Sequence, residues 1–355
     1  MSHRARARAY DRVSQLETAE LDLPALFDAA ADVLARVLPH DAACWHAMDP
    51  ATLIETSTHV EHMPPPDPRV AEIAYLSSDF NSFPELARRP RHSGVLSEET
   101  GGDLRRSTRY RELLVPVNMA AELRVACVVD HASWACFALF RQAPATDFTE
   151  DERDFAHDVA ASLGRSFRAA GVRARAGEPG VGLWPGVLLI GRDHRLESAT
   201  PSALGWLRQV GFLGDPGHDP LPFEVLNVAE RARVTAGEVA ARVLGASGRW
   251  VALHAEPTAG DEDRAQRVAV VLQAAAPPSI APLICAAYGL TTRERELTEL
   301  VLRGFGTTEI AARLFVSPHT VQSHLKSIFA KVGVRSRRQL VGRLVTGEDG
   351  TARPG

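Results

Sequence analysis

The chain has 355 residues, of which 45% are hydrophobic and 24% are charged. This composition is close to the average of globular domains and excludes a disordered chain, a collagen and a simple coiled coil. At roughly 100–200 residues per domain, the length predicts two or three domains. No apolar run approaches about 18 residues and no apolar core follows the basic N-terminus. Neither a membrane span nor a secretory signal is therefore predicted, and we expect a cytoplasmic protein.

Charge is unevenly distributed along the chain. The formal net charge is −4, but residues 281–355 contain eleven Lys and Arg against six Asp and Glu, so they carry +5 and the remainder carries −9. A basic end on an acidic body indicates a polyanionic partner for that end, although an ordinary solvated face explains the charge equally well. Both lysines of the chain, Lys326 and Lys331, lie in this basic end. A short basic arm at residues 4–8 is expected to be disordered rather than to touch the same partner.

The residue types that carry catalysis or bind metals are scattered. The four cysteines form no CxxC pair, so neither a disulfide framework nor a zinc site is expected. The pair Glu98 and Glu99, and His157 near Asp154, fall on predicted loops or solvated helix faces, where nothing orients them for acid–base chemistry. We therefore expect no metal site and no catalytic residue, and hence not an enzyme.

The first block, residues 13–170, has the pattern of an α+β domain. Apolar residues recur at helical spacing over 21–38, which predicts an opening helix. A capping box between Thr149 and Glu152 starts a closing helix predicted over 149–168. The strand-like runs between these helices are 123–129 and 134–140, joined by a hairpin connection at 130–133. Helix, hairpin and closing helix indicate an antiparallel sheet with helices packed on it.

A second block, residues 183–274, follows a glycine-rich linker at 171–182. Its strand-like runs are 187–190, a run from Arg195 after a turn, 250–255 and 267–272. These runs predict a second small α+β sheet domain. The alanine- and proline-rich segment 273–279 marks the next boundary.

The C-terminal block, residues 284–349, is predicted to contain four short helices. Thr291 and Glu294 form a capping box at the start of the first helix. Ser317 followed by Pro318 is a strong start signal for the third, as a cap residue followed by a first-turn proline. The helices are predicted from about 290, over about 307–314, from 318 to about 331, and from Ser336 with a capping box completed by Gln339.

The third helix has two chemically distinct faces. Apolar residues recur at i, i+4, i+7, i+8 and i+11 from Val321 to Val332 and predict its buried face. The opposite face contains no acidic and no large apolar residue, and comprises His319, Gln322, Ser323, Lys326 and Ala330. A helix in the major groove needs such a face, with donors for base edges and phosphates. The second and third helices, joined by the tight turn at 315–317, form a helix-turn-helix. The alternative interpretation is that the third helix is a solvated helix in a small bundle.

The motifs of this block resemble the LuxR-type (NarL/FixJ-type) DNA-binding domain over about 290–344. The matching segments are 290–296, 309–314, 316–321, 324–325, 328–334 and 336–337. The resemblance implies site-specific binding to double-stranded DNA, and hence association with the nucleoid. Because one four-helix unit buries little DNA surface, we expect a homodimer that reads two half-sites. Contact between the acidic body and RNA polymerase is a further hypothesis.

The resemblance also implies which residues contact DNA. Gln322, Ser323 and Lys326 match positions that reach bases or nearby phosphates, where Gln suits adenine and Lys suits guanine or phosphate. The phosphate-contacting positions correspond to Thr320, Lys331 and Arg337, and His319 lies on the same face. Thr307 and Thr308 stand where the family often has Asn and Lys and can donate hydroxyls. Because this chain lacks that lysine, we expect its DNA binding to be weaker or less dependent on salt.

The first two blocks resemble sensor domains. The opening helix, residues 109–112, the hairpin at 122–141 and residues 147–152 are similar to GAF-type domains. Residues 186–203 and the last strands of the second block are similar to a PAS domain. A phospho-receiver is excluded because no lysine precedes Lys326. The predicted fold class is thus multidomain: an α+β GAF-like domain, an α+β PAS-like domain and an all-α helix-turn-helix domain.

Two hypotheses about control follow from these resemblances. The sensor blocks bind a small-molecule ligand, or they bind a protein partner, and either event alters the output of the C-terminal block. No cofactor is identified, because neither a haem pattern nor a flavin- or chromophore-binding cysteine is recognisable.

Overall fold

The structure is a computed structural model with two sheets and a C-terminal group of helices. It describes residues 3–63, 69–76, 79–173, 184–245, 248–259, 267–275 and 285–345. Both sheets are five-stranded and antiparallel, as predicted for the two α+β blocks. Most of each predicted linker, 171–182 and 273–279, lies outside the described residues. Across the described ranges, each helix is too short or too polar to cross a bilayer.

The first sheet has the strand order β2-β1-β5-β4-β3. Its strands are β1 (Ala42–Asp49), β2 (Ile54–Glu61), β3 (Ser93–Val95), β4 (Met119–Val129) and β5 (Ala132–Gln142). The predicted hairpin is confirmed, but its turn is shorter than expected. Ala132 pairs with Val129 inside the ladder, so only Asp130 and His131 remain, with φ of 50° and 64°. Two positive φ values are what a two-residue turn of this kind requires.

Helices lie against both faces of the first sheet. The helices of this unit are α1 (His3–Leu16), α2 (Leu23–Ala35), α3 (Arg69–Leu76), α4 (Phe83–Arg88), α5 (Leu96–Thr100) and α6 (Glu150–Arg173), with short turns at Leu104–Arg106, Tyr110–Leu114 and Val115–Val117. Of these, α3 buries Ala71 in the core of the second sheet. Trp45 and Phe137 pack with α1, α2 and α6, whereas Cys136 packs with α4 on the opposite face. The predicted capping box of α6 is confirmed. The Thr149 N–H donates to Glu152 Oε2 at 2.9 Å, and the Glu152 N–H donates to Thr149 Oγ1 at 3.3 Å.

The expectation that the basic arm is disordered is wrong. Residues 4–8 lie in α1, whose side chains Ala9 and Val13 are buried in the first core. Arg6 donates to the Asp151 carbonyl at 2.6 Å and lies 3.3 Å from its carboxylate. The small apolar residues repeat at i and i+4 between the arginines, so the arm is an amphipathic helix whose charge conceals its buried stripe.

The second sheet has the strand order β7-β6-β10-β9-β8. Its strands are β6 (Gly186–Ile190), β7 (Leu196–Ala199), β8 (Val239–Leu244), β9 (Trp250–Pro257) and β10 (Val268–Ala274), and its helices are α7 (Pro201–Gln209) and α8 (Phe223–Thr235). The four predicted strand-like runs are confirmed as β6, β7, β9 and β10. β8, α7 and α8 were not predicted from the sequence.

Helix α8 joins the two sheet units. Its apolar face belongs to the core of the second sheet, while its first turns reach the first sheet. Asn227 Nδ2 donates to Glu55 Oε2 at 3.0 Å, and both side chains are buried. The ring centroids of Phe223 and His46 lie 5.7 Å apart. A buried amide–carboxylate hydrogen bond and an aromatic contact therefore cross between the units.

Glu224 in this junction predicts a pH-dependent stability. Burial raises its pKa to about 7 from an ordinary value of 4.5. The native state then binds this proton more tightly than the unfolded chain, so its stabilising effect is present below pH 4.5 and is lost as pH rises to about 7. We expect Glu224→Gln to raise Tm by a few degrees at about pH 8 and to change it little at about pH 5. Thermal unfolding at both pH values tests this, with exposed Glu238→Gln as the control. Equal effects of the two variants at both pH values would contradict the prediction.

The C-terminal group contains four helices around one core. They are α9 (Thr292–Leu302), α10 (Thr307–Arg313), α11 (Pro318–Val332) and α12 (Arg337–Val345), as the sequence predicts. Their shared buried residues are Leu297, Val301, Ile310, Ala311, Val321, Leu325, Ile328, Val332, Leu340 and Leu344. At α12 half of the predicted capping box is confirmed. Ser336 Oγ accepts from the Gln339 N–H at 3.2 Å, but Gln339 Oε1 accepts from the Arg335 N–H at 2.8 Å instead of from the Ser336 N–H.

Candidate nucleic-acid interface

Helix α11 is held at both ends by local signals in its sequence. Ser317 Oγ accepts from the Thr320 N–H at 3.1 Å, and Pro318 occupies the first turn. At the other end Gly333 adopts φ of 74°, a left-handed conformation that glycine takes without steric cost. These caps fix where the helix begins and ends, and so which side chains face outward.

The two predicted faces of α11 are confirmed. Val321, Leu325, Ile328 and Val332 are buried, and Phe329 is half-buried. The exposed face carries the residues predicted from sequence, namely His319, Gln322, Ser323, Lys326 and Ala330. Within the part of the chain that the structure describes, Lys326 forms neither a hydrogen bond nor an ion pair. Its ammonium group therefore faces solvent at the middle of a face without acidic residues.

The structure brings together several predicted contact residues at the start of α10 and α11. Gln322 Nε2 lies 3.4 Å from Thr307 Oγ1, which links the two helices. Thr320 Oγ1 lies 2.9 Å from Ser317 Oγ. Thr308 is exposed one residue beyond Thr307. These side chains form one continuous polar surface with the exposed face of α11.

Gly306 caps α10 in only one direction. Glu309 Oε2 accepts from the Gly306 N–H at 2.7 Å, but glycine offers no side-chain oxygen in return. This agrees with the expectation that Gly306 caps less well than serine.

Two predicted phosphate contacts are engaged inside the helical group instead. Lys331 Nζ lies 2.7 Å from Glu294 Oε2 and donates to the Gly289 carbonyl at 3.1 Å. Arg337 donates to the Phe305 carbonyl. Lys331 therefore connects α11 to α9, and Arg337 connects α12 to the segment between α9 and α10. Both cations also add positive charge to the surface.

Glu294 is the centre of this internal network. Only its capping role is predicted from the sequence. Its carboxylate accepts from Ser327 Oγ at 2.6 Å, from the Thr291 N–H at 2.8 Å and from Lys331. Burial alone would raise its pKa, but hydrogen bonds from Lys331, Ser327 and Thr291 outweigh burial and hold the pKa at about 2. Its capping partner lies three residues away and is visible in the sequence, whereas Lys331 lies 37 residues away and is not.

Aromatic residues beside the turn were also missed. Phe305 lies under Arg313, whose guanidinium carbon is 3.7 Å from the ring centroid, and near Arg303 at 5.4 Å. Phe315 in the turn is 95% exposed. Nothing in the local sequence distinguishes this phenylalanine from the core phenylalanines of the block.

A second candidate site is a cavity of about 130 Å³ on the α4 side of the first sheet. Its lining is largely apolar and includes Cys44, His46, Val60, Met63, Leu114, Arg124, Phe140 and Phe223. Arg124 supplies a cationic group, with its guanidinium carbon 4.0 Å from the Phe83 ring centroid. Burial lowers the pKa of the His46 imidazole, so its ring is neutral near pH 7. Because Phe223 begins α8, this cavity is formed by both sheet units.

The C-terminal block resembles known bacterial proteins. The model of the bacterial regulatory proteins of the luxR family matches residues 289–344. The spore germination protein GerE of Bacillus subtilis is 45% identical over 56 residues, which cover 16% of this chain and 76% of that protein. An HTH-type transcriptional regulator of Mycobacterium bovis is 54% identical over 52 residues, 15% of this chain and 6% of the relative, so the chain matches only a small part of its length.

Structural similarity over the whole chain is weak. A structure of Vibrio cholerae VqmA, which is described among LuxR-type receptors, has 19% sequence identity and a TM-score of 0.23. The match covers 45% of this chain and 81% of that one. A TM-score this low supports no inference about the N-terminal units. The family match, the identity to GerE and the four-helix geometry of residues 285–345 agree with one another, and the chain belongs to the luxR family of bacterial regulatory proteins.

Proposed function

We propose that the protein is a sequence-specific DNA-binding transcriptional regulator with α11 as its recognition helix. The observation that carries this proposal is the exposed face of α11, where Lys326 is unpaired among the described residues and no acid is present. A helix that enters the major groove needs such a face to approach the phosphates and reach base edges. Gln322 and Ser323 would read bases, and Thr307, Thr308, His319 and Thr320 would contact the backbone.

The proposal assigns different roles to the cations. Lys326 is free to reach a base or a phosphate, whereas Lys331 and Arg337 are held by Glu294 and the Phe305 carbonyl. Lys331 would thus position α11, Arg337 would position α12, and both would add to the positive electrostatic potential of the interface. We further propose a homodimer that reads half-sites about one helical turn apart, because a single unit of four short helices buries little DNA surface.

Replacement of Lys326 tests the proposal. In full-length protein, with an operator selected from random duplex DNA, we expect Lys326→Ala to weaken binding by about tenfold and to reduce the salt slope by about 1. Fluorescence anisotropy over a range of salt concentrations measures both quantities. The matched control is Arg195→Ala, which removes one positive charge from a side chain that is 75% exposed in the second unit. Equal affinities and salt slopes for the two variants would contradict the role of α11.

We propose that residues 13–170 and 183–274 are GAF-like and PAS-like sensor domains and that residues 284–349 are the output domain. A small ligand in the cavity between the sheet units is favoured as the signal, because Phe223 connects that cavity directly to α8. A cavity of about 130 Å³ is close in size to engineered cavities that bind benzene, so the ligand would be compact. The alternative is a protein partner that binds the same units.

Native mass spectrometry of the full chain separates the two forms of control. A dimer with extra mass that disappears on denaturation would support a ligand. A dimer of the bare mass, together with a partner recovered by pull-down, would support the protein-partner alternative. A monomer at micromolar concentration would contradict the homodimer.

A further inference from the structure

Phe315 combines two unfavourable features at one position. Its side chain is 95% exposed, and its backbone adopts φ of 53°. Large side chains rarely adopt positive φ, and the residue after a helix end in this conformation is usually glycine or asparagine. The Val316 N–H donates to the Ala311 carbonyl at 3.0 Å, so the left-handed turn at Phe315 is an integral part of the helix end. A glycine would stabilise this turn better than phenylalanine does.

Phe315 lies close in the chain to the start of the proposed recognition helix. It lies two residues before Ser317, the cap of α11, and so beside the N-terminal end of the proposed recognition helix. Recognition helices contact base edges with their N-terminal residues. The polar surface of Thr320, Gln322 and Thr307 begins at the same end. The exposed ring therefore lies on the turn that leads directly into the helix whose side chains would enter the groove.

The chemistry of the groove offers a partner for an aromatic ring. Of the four base pairs, only those that contain thymine display a methyl group in the major groove, and phenylalanine is one of the side chains that contacts it. We propose that Phe315 packs against the C5-methyl group of a thymine at the edge of each half-site and contributes to sequence selectivity. This inference rests on the proposed DNA-binding function of α11. The exposed apolar ring is thus covered only when DNA is bound.

Removal of the methyl group from DNA tests the contact directly. With the selected operator, each thymine of the half-site is replaced in turn by uracil, which differs only in lacking that methyl group. We expect one substitution to weaken binding of the full-length protein by about fourfold, the effect of losing one buried methyl-sized group. Phe315→Ala should weaken binding to the thymine operator and should show no further loss on the uracil operator. Leu213→Ala, at another exposed apolar side chain, is the matched control and should bind both operators as the unchanged protein does.

A glycine variant distinguishes the contact from a folding defect. We expect Phe315→Gly to raise the Tm of the C-terminal helices, because glycine adopts positive φ readily, and at the same time to weaken DNA binding. Opposite effects on stability and affinity cannot arise from misfolding.

Two results would overturn the inference. Phe315→Ala could bind the operator with unchanged affinity while Lys326→Ala is still impaired, which would leave the proposed function intact. Phe315→Ala could instead impair self-association, measured by sedimentation, with equal losses on thymine and uracil operators, which would assign the ring to a second copy of the chain. Failure of the unchanged protein to select any DNA sequence would contradict the proposed function itself.

Discussion

Replacing Arg109 by alanine is expected to destabilise the first sheet unit by about 3 kcal/mol, because a buried carboxylate loses its two-point partner and keeps only Arg124, whose Nε lies 3.3 Å away. Arg109 Nε and Nη2 donate to the two carboxylate oxygens of Glu122 at 3.0 and 2.7 Å. The Glu122 side chain is only 1% exposed. Arg109 also donates its backbone N–H to Asp79 at 2.7 Å. The guanidinium therefore neutralises a carboxylate that has almost no access to water.

Urea unfolding of the full-length protein measures this loss. The matched control is Arg111→Ala, two residues away, whose exposed side chain donates to Thr108 Oγ1 at 3.1 Å. Replacement of an exposed side chain with such local contacts changes stability by about 0.5 kcal/mol or less, so the control should unfold close to the unchanged protein. If Arg109→Ala were as stable as Arg111→Ala, the ion pair with Glu122 would not be part of the folded unit.

Replacing Glu294 by alanine is expected to destabilise the C-terminal helices by about 3 kcal/mol and to weaken DNA binding with it. The change removes the capping interaction with Thr291 and the acceptor of Ser327, and leaves Lys331 with only the Gly289 carbonyl. Because Lys331 is on α11 and Glu294 is on α9, the recognition helix loses a fixed connection to its neighbour. The exposed Glu296→Ala, which disrupts only a local pair with Arg293, is the matched control.

The same carboxylate gives a defined pH dependence. Since its native pKa is lowered to about 2, its stabilising effect is present above its ordinary pKa of 4.5 and is lost as pH falls to about 2. The difference in Tm between the unchanged protein and Glu294→Gln should therefore shrink over that interval. A difference that stays constant would show that the charge of Glu294 does not stabilise the domain.

Local signals in the sequence were sufficient for the helices of the C-terminal group. The caps at Thr291 and Ser317 each depend on residues within three positions, and the two faces of α11 follow from its periodicity. The partner of Lys331 could not be predicted, because Glu294 is brought near it only by the packing of α9 on α11. The exposed ring of Phe315 was missed for the related reason that hydrophobic residues are assigned to the core by default.

In the N-terminal half, too, elements with local sequence signals were predicted and those that depend on packing were not. The hairpin and the capping box of α6 were predicted, whereas α1 was missed because its charge conceals a stripe of alanine and valine. Helix α8 has no capping side chain, and its residues pack against two sheets. Neither a start signal nor a simple periodicity in the sequence therefore predicts it. Its contact between Asn227 and Glu55 spans 172 residues of sequence.

The shared helix α8 limits how this protein can be rearranged, in evolution or by engineering. Because Phe223 and Asn227 are covalently part of one unit and pack against the other, an exchange of either unit alone would expose Glu55 and remove a wall of the cavity. A chimaera that retains the first unit must therefore also retain α8. The glycine-rich segment 171–182 marks a change in composition, but a crossover there would separate the first unit from α8. The two sheet units and the helix that they share therefore behave as one structural module.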